Sequence, residues 1–112
     1  MKSMSYAAVA ASVALAAALS AASPAANAEA AGLALAQQKN CMSCHSVNRP
    51  FMGPALHDVA IRYAGRDDAA TYLKHKILDG STGAWGTVPM PANTQLTPDQ
   101  AATLAAWVLT LK

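Results

Sequence analysis

The chain has 112 residues, a formal charge of +2 and a hydrophobic fraction of 54%. That length suits one small domain, and so mild a charge excludes the broad basic surface of a nucleic-acid binder. Much of the apolar content is alanine gathered at the front, so the core of the remainder is smaller than the percentage suggests.

Lys2 is followed by an uncharged run from Ala7 to Ala22, then by Pro24 and the small-residue sequence Ala26-Asn27-Ala28. A basic start, a short apolar centre and a small-x-small site read as a secretory signal peptide over residues 1–28, cleaved after Ala28 to leave one domain, 29–112. This predicts export to the periplasm. It also predicts no stable membrane insertion after cleavage, because the apolar run is shorter than the ~20 residues a spanning helix needs. Losing Lys2 lowers the charge by one, which leaves partner steering to local patches. A domain this small has little core for its surface and needs a staple. A disulfide between the only two cysteines would close a tiny loop and restrict the unfolded chain little, so a bound cofactor is the better staple.

Ala31 to Asn40 is a predicted helix with Leu33 and Ala36 on its inner side, leading into Cys41-Met42-Ser43-Cys44-His45. Asn48 to Pro54 is rich in breakers and reads as a loop. Leu56, Val59, Ala60 and Tyr63 then fall at the spacing of one helical face, with Gly65 as the stop. Asp67 or Asp68 is the expected cap of a third helix carrying Ala70, Leu73 and Ile77 on one side and ending at Gly80. Ser81 to Asn93 holds Trp85, Val88 and Met90 among glycines and prolines with no period, a loop that needs an apolar surface to lie on. Thr97-Pro98-Asp99-Gln100 forms a capping box with proline at the first helical position and Leu96 as a staple residue. The closing helix puts Leu104, Trp107, Val108 and Leu111 on one stripe. No strand alternation occurs, so the fold class is all-α.

Cys41-x-x-Cys44-His45 is the strongest signal. Two thiols at this spacing can each form a thioether to a haem vinyl group, and the adjacent histidine then sits under the iron as a neutral nitrogen donor. A thioredoxin-like pair would need strand and helix alternation. A zinc site would need further ligands, for which only His57 and His75 remain, and a structural disulfide would not need the histidine. The sixth ligand decides between an open site for small molecules and a closed one suited to electron transfer. The candidates are Met42, Met52, Met90, His57, His75 and the lysines. Met42 lies inside the motif and cannot reach the far face, and Met52 sits in the loop that returns past His45. A lone methionine usually fills a core gap, but Met90 lies between Pro89 and Pro91, which fix its backbone, and it is the expected ligand.

Together with Gly53-Pro54-Ala55, the segment Asp79 to Gly86, Pro89 to Asn93 and Leu104 to Leu109, this motif resembles the small bacterial class I cytochromes c. These are of the kind that deliver electrons to periplasmic nitrite reductase or terminal oxidases. The similarity spans essentially all of residues 29–112. It implies about four short helices wrapped around one covalently bound, six-coordinate His/Met haem c. It also implies a monomeric electron carrier, not an enzyme, that takes electrons from a membrane-bound donor. It further implies that the Pro54 carbonyl accepts a hydrogen bond from His45 and that the Asn93 amide approaches the Met90 sulfur. Trp85 and Lys76 would reach haem propionates. Packing alone would explain Trp85, and a solvated helix face would explain Lys76. Two departures stand out: Ala92 replaces a second proline after the methionine, and Lys76 offers a point charge where an arginine would make a two-pronged contact. Met42, Phe51, Val88 and Pro89, with Lys39, Arg49 and Lys76 around them, are the expected contact patch. His57 and His75 are expected to be exposed helix residues. The rival readings are a haem sensor or peroxidase-like enzyme in which the methionine leaves, and a structural haem subunit of a larger enzyme.

Overall fold

The computed structural model describes residues 10–16, 18 and 23–112. Half of the apolar run from Ala7 to Ala22 therefore lies outside the described residues. The helical elements are α1 (Pro24–Gln38), a 3-10 turn (Cys41–Ser43), α2 (Leu56–Tyr63), α3 (Ala69–Asp79) and α4 (Pro98–Leu109). Among the described residues the only extended pairing is an isolated bridge between Ser81 and Met90.

α1 begins seven residues before the expected start because Ser23 and Pro24 provide a strong initiation signal. The Ser23 hydroxyl accepts from the Ala26 amide at 3.3 Å, and proline occupies the first helical position. Its inner face is also turned by one residue. Gly32 and Ala36 are buried, whereas Leu33 faces outward. The reason is a close helix crossing: a Cβ at residue 32 would lie 2.2 Å from Cγ of Trp107, so only glycine lets α1 approach α4.

In α2 the four predicted residues, Leu56, Val59, Ala60 and Tyr63, are all buried. Gly65 is not the residue that turns the chain, since the helix closes on Ala64 in right-handed conformation and Gly65 has no positive φ. α3 starts after Asp68, whose carboxylate makes no cap bond and is instead gripped by both arms of the Arg66 guanidinium. That grip holds the Asp68 carboxyl below its ordinary range. The Arg66 guanidinium also lies 3.8 Å over the Tyr72 ring. The inward residues of α3 are Ala69 and Leu73 with Ile77 partly covered, and Ala70 faces solvent. Gly80 ends the helix at φ +82, as expected.

α4 carries the complete capping box, with Gln100 N donating to Thr97 Oγ1 at 3.2 Å and Thr97 N to Gln100 Oε1 at 3.1 Å. Leu96, Leu104, Trp107 and Val108 are buried with Ala101 and Ala105, and Leu111 lies half-buried beyond the helix. α4 is the hub: it packs on α1, α2 and α3. His75 is exposed beside Asp79, as expected. His57 is not. It is half-buried, with Nδ1 2.5 Å from the Leu111 carbonyl, and ties the C-terminal end to α2.

Candidate functional site

The chain leaves α1 through Asn40, whose φ of 62 lies in the left-handed region and swings the next residues into the 3-10 turn. Cys44 N and His45 N both donate to the Cys41 carbonyl, at 3.2 and 3.0 Å. This tight winding brings Cys41, Cys44 and His45 to the wall of one slot. A cavity of 340 Å³ and an adjoining one of 120 Å³ share Cys44, His45, Leu56, Ile77, Met90 and Val108. Neither cysteine is in a disulfide. Burial pushes the half-covered Cys41 thiol up from its ordinary range.

His45 is fixed from behind. Its Nδ1 lies 2.8 Å from the Pro54 carbonyl, which can only accept, so Nδ1 carries the proton and Nε2 is left as a neutral donor. Gly53 completes the cradle: a Cβ there would stand 2.5 Å from Cε1 of the ring, and its amide donates to the Cys44 carbonyl at 2.8 Å. The expected Pro54 contact is therefore present.

Met90 lies on the part of the wall held by α3. Met90 N donates to Ser81 O at 2.8 Å and Ser81 N returns to Met90 O at 3.0 Å. Gly80 lets these strands meet, since a Cβ there would lie 2.6 Å from the Met90 carbonyl. Met90 and Pro91 line both parts of the slot. Met52 also borders the larger cavity, but its sulfur sits 3.8 Å from Cys44 Sγ, in the loop that wraps His45.

Asn93 borders the smaller cavity. Nδ2 donates to the Ile77 carbonyl at 2.9 Å, and the Asn93 backbone N reaches the same oxygen at 3.1 Å. Ile77 is in the last turn of α3, where carbonyls lack helical partners. The Ser81 amide that would have served it is taken by Met90. Asn93 thus acts as a C-terminal cap that fastens the Met90 loop to α3, and this bond engages one of the two N–H groups of Nδ2.

At the mouth, Trp85 and Lys76 line the larger cavity together with Tyr63 and Tyr72. Trp85 is 40% exposed, and Lys76 Nζ lies 5.2 Å from the Tyr72 ring centre. Sequence reasoning missed two contributors. Ser81 pairs with Met90 only through its backbone, which leaves no side-chain signal. Arg62 reaches Ala84 O and Trp85 across 22 positions, where no periodicity points. Met42 is half-buried against the core, so it drops out of the expected surface patch. Phe51 and Val88 remain, exposed at 68% and 61%.

An apolar slot, a thiol pair at one edge, an imidazole with a free nitrogen and a basic, aromatic mouth define a covalent macrocycle-binding protein of the all-α class. The cytochrome c family model matches residues 29–112, and the chain belongs to that family. Its relatives are small monohaem electron carriers, and the family binds haem c covalently, which Cys41, Cys44 and His45 fit. The chain is 53% identical over 78 residues to cytochrome c-552 of Nitrosomonas europaea, covering 70% of this chain and 76% of the relative. It is 53% identical over 83 residues to cytochrome c-551 of Ectopseudomonas mendocina, covering 74% and 100%. The crystal structure of wild-type Nitrosomonas europaea cytochrome c552 superposes with a TM-score of 0.70 at 51% identity, covering 71% of this chain and 99% of that one. The class 1 cytochrome MtoD of Sideroxydans lithotrophicus ES-1 gives a TM-score of 0.60 at 28% identity, covering 73% and 94%. Among the described residues no helix is long and apolar enough to cross a membrane.

Proposed function

We propose that residues 29–112, freed from a leader at 1–28, work in the periplasm as a monomeric carrier. In this reading it takes single electrons from a membrane-bound donor and hands them to a terminal reductase or oxidase such as nitrite reductase. The observation that carries the reading is that one slot is walled by a ring-fixed His45 and by a backbone-fixed Met90.

When bound, the haem supplies an iron that alternates between ferric and ferrous states. The chain's own residues do the rest. Cys41 and Cys44 would attach it, Pro54 holds the His45 ring in one tautomer, and Met90 would supply the second protein donor to the iron. Two flanking prolines, the paired backbone bonds to Ser81 and the Asn93 tie to α3 restrict Met90 to one direction, which a weakly bonding thioether requires. Met52 faces the same space, but it is carried by the segment that cradles His45, so its sulfur belongs to the attachment side. Trp85 and Lys76 line the mouth and would offer an indole N–H and an ammonium to carboxylate groups of the cofactor. Val88 and Pro89 at the cavity mouth and the exposed Phe51 offer apolar surface suited to brief redox encounters, which sit at the low end of interface size.

A sensor or peroxidase-like protein would need the methionine to leave readily, and the restraints on Met90 oppose that. The test is exposure of the reduced protein to carbon monoxide. An unchanged absorption spectrum is expected of a carrier; ready binding, or a five-coordinate signal before gas is added, would contradict the reading.

A further inference from the structure

Residues 82–89 form the tip of the loop that ends in Met90, and little holds it. Gly83 and Gly86 have φ of +78 and +117, and a Cβ at either would meet nothing within 4 Å. Residues 82–89 are joined to the rest of the chain by a hydrogen bond from the Arg62 guanidinium to the Ala84 carbonyl at 2.8 Å, and the Trp85 indole bears on the Tyr63 hydroxyl. The same guanidinium lies 4.4 Å over the Trp85 ring, while the Tyr63 ring meets Trp85 edge-on at 6.4 Å. No carboxylate pairs with Arg62 among the described residues.

We infer that Arg62 is a positioning residue. From the last turn of α2 it clamps the loop tip, sets the plane of Trp85 at the mouth and thereby keeps the Ser81–Met90 pairing closed. The inference rests on the proposal that Met90 is the sixth ligand. A planar guanidinium suits this double task because it can stack on an indole face and still donate in its own plane. Two small interactions at one residue suffice, since the Tyr63 edge contact with Trp85 is the main other tie on the loop tip.

The test uses the intact haem-loaded protein in its reduced state, with Arg62→Met, which keeps the length of the stem but neither charge nor donor. Backbone order parameters at Ala84, Trp85 and Gly86 should fall from about 0.85 to below about 0.6. Hydrogen exchange at the Ser81 and Met90 amides should quicken about tenfold, the factor expected from losing one hydrogen bond and one cation–π contact. The α4 amides should keep their rates. The oxidised unaltered protein should show the weak far-red absorption band of methionine-bound iron. Arg62→Lys, which retains the cation but not the fork, should restore part of the exchange protection. An unchanged loop in Arg62→Met, or quickening in α4 as large as at Ser81 and Met90, would overturn the inference. If the unaltered protein lacks the far-red band, the Met90 reading fails, while the loop measurements still decide the role of Arg62.

Discussion

Replacing Met90 with alanine is expected to abolish the weak far-red absorption band of the oxidised protein and to lower its reduction potential. A fall on the order of 0.1 V is expected, a modest part of the roughly 0.8 V span that axial ligands command. Neutral sulfur favours ferrous iron relative to a nitrogen donor, so its removal favours the ferric state. The truncated site should also admit carbon monoxide. Met52→Ala should leave all three properties as they were. Its sulfur lies beside Cys44 on the strand of chain that wraps His45, whereas Met90 is presented by the loop anchored on α3. Absorbance-monitored redox titration of the two variants decides between them. A band that survives in Met90→Ala and vanishes in Met52→Ala would move the ligand to residue 52.

The second large effect is expected at Gly53. Alanine there places a methyl 2.5 Å from Cε1 and 2.8 Å from Nδ1 of His45, a clash that must be relieved by moving the ring or the loop. Either movement weakens the 2.8 Å contact with the Pro54 carbonyl. Overpacking of this kind costs about 1–3 kcal/mol. In a domain of this size each kcal/mol lowers Tm by about 4–8 °C. Gly65→Ala supplies the contrast, because a Cβ at residue 65 meets nothing within 4 Å and the residue has no positive φ. Its Tm should stay within about 2–4 °C of the unaltered protein, as for most surface changes of up to ~0.5 kcal/mol. Thermal unfolding of the two haem-loaded variants checks the pair. Equal Tm values would mean that the ring is not cradled as the geometry describes.

What the sequence disclosed and what it withheld divide along physical lines. The α2 face was legible because four apolar residues repeat at helical spacing and all four are buried. Thr97 to Gln100 was legible because a capping box is a local code, satisfied within four residues. The attachment motif likewise packs its information into five consecutive positions. α1 was misplaced because its inward face is set by a distant partner: Trp107 selects Gly32, which an apolar pattern does not flag. Asp67 or Asp68 was expected to cap α3, and Asp68 does take the N-cap position, but a neighbouring arginine competes for its carboxylate, and spacing does not report which contact wins. The tie of Asn93 to the orphaned Ile77 carbonyl was not legible, because that carbonyl is freed only once the Ser81 amide has turned to Met90. Arg62 was invisible for a related reason: what it restrains is a loop tip without period, 22 positions further on.

The central claim is that Cys41 and Cys44 hold one haem by covalent bonds. The most direct measurement is the mass of the denatured protein after production in a host competent in cytochrome maturation. A mass equal to that of residues 29–112 plus one haem, unchanged by extraction in acidified organic solvent, is the predicted result. A mass equal to the polypeptide alone, or colour that passes into the solvent, would contradict it.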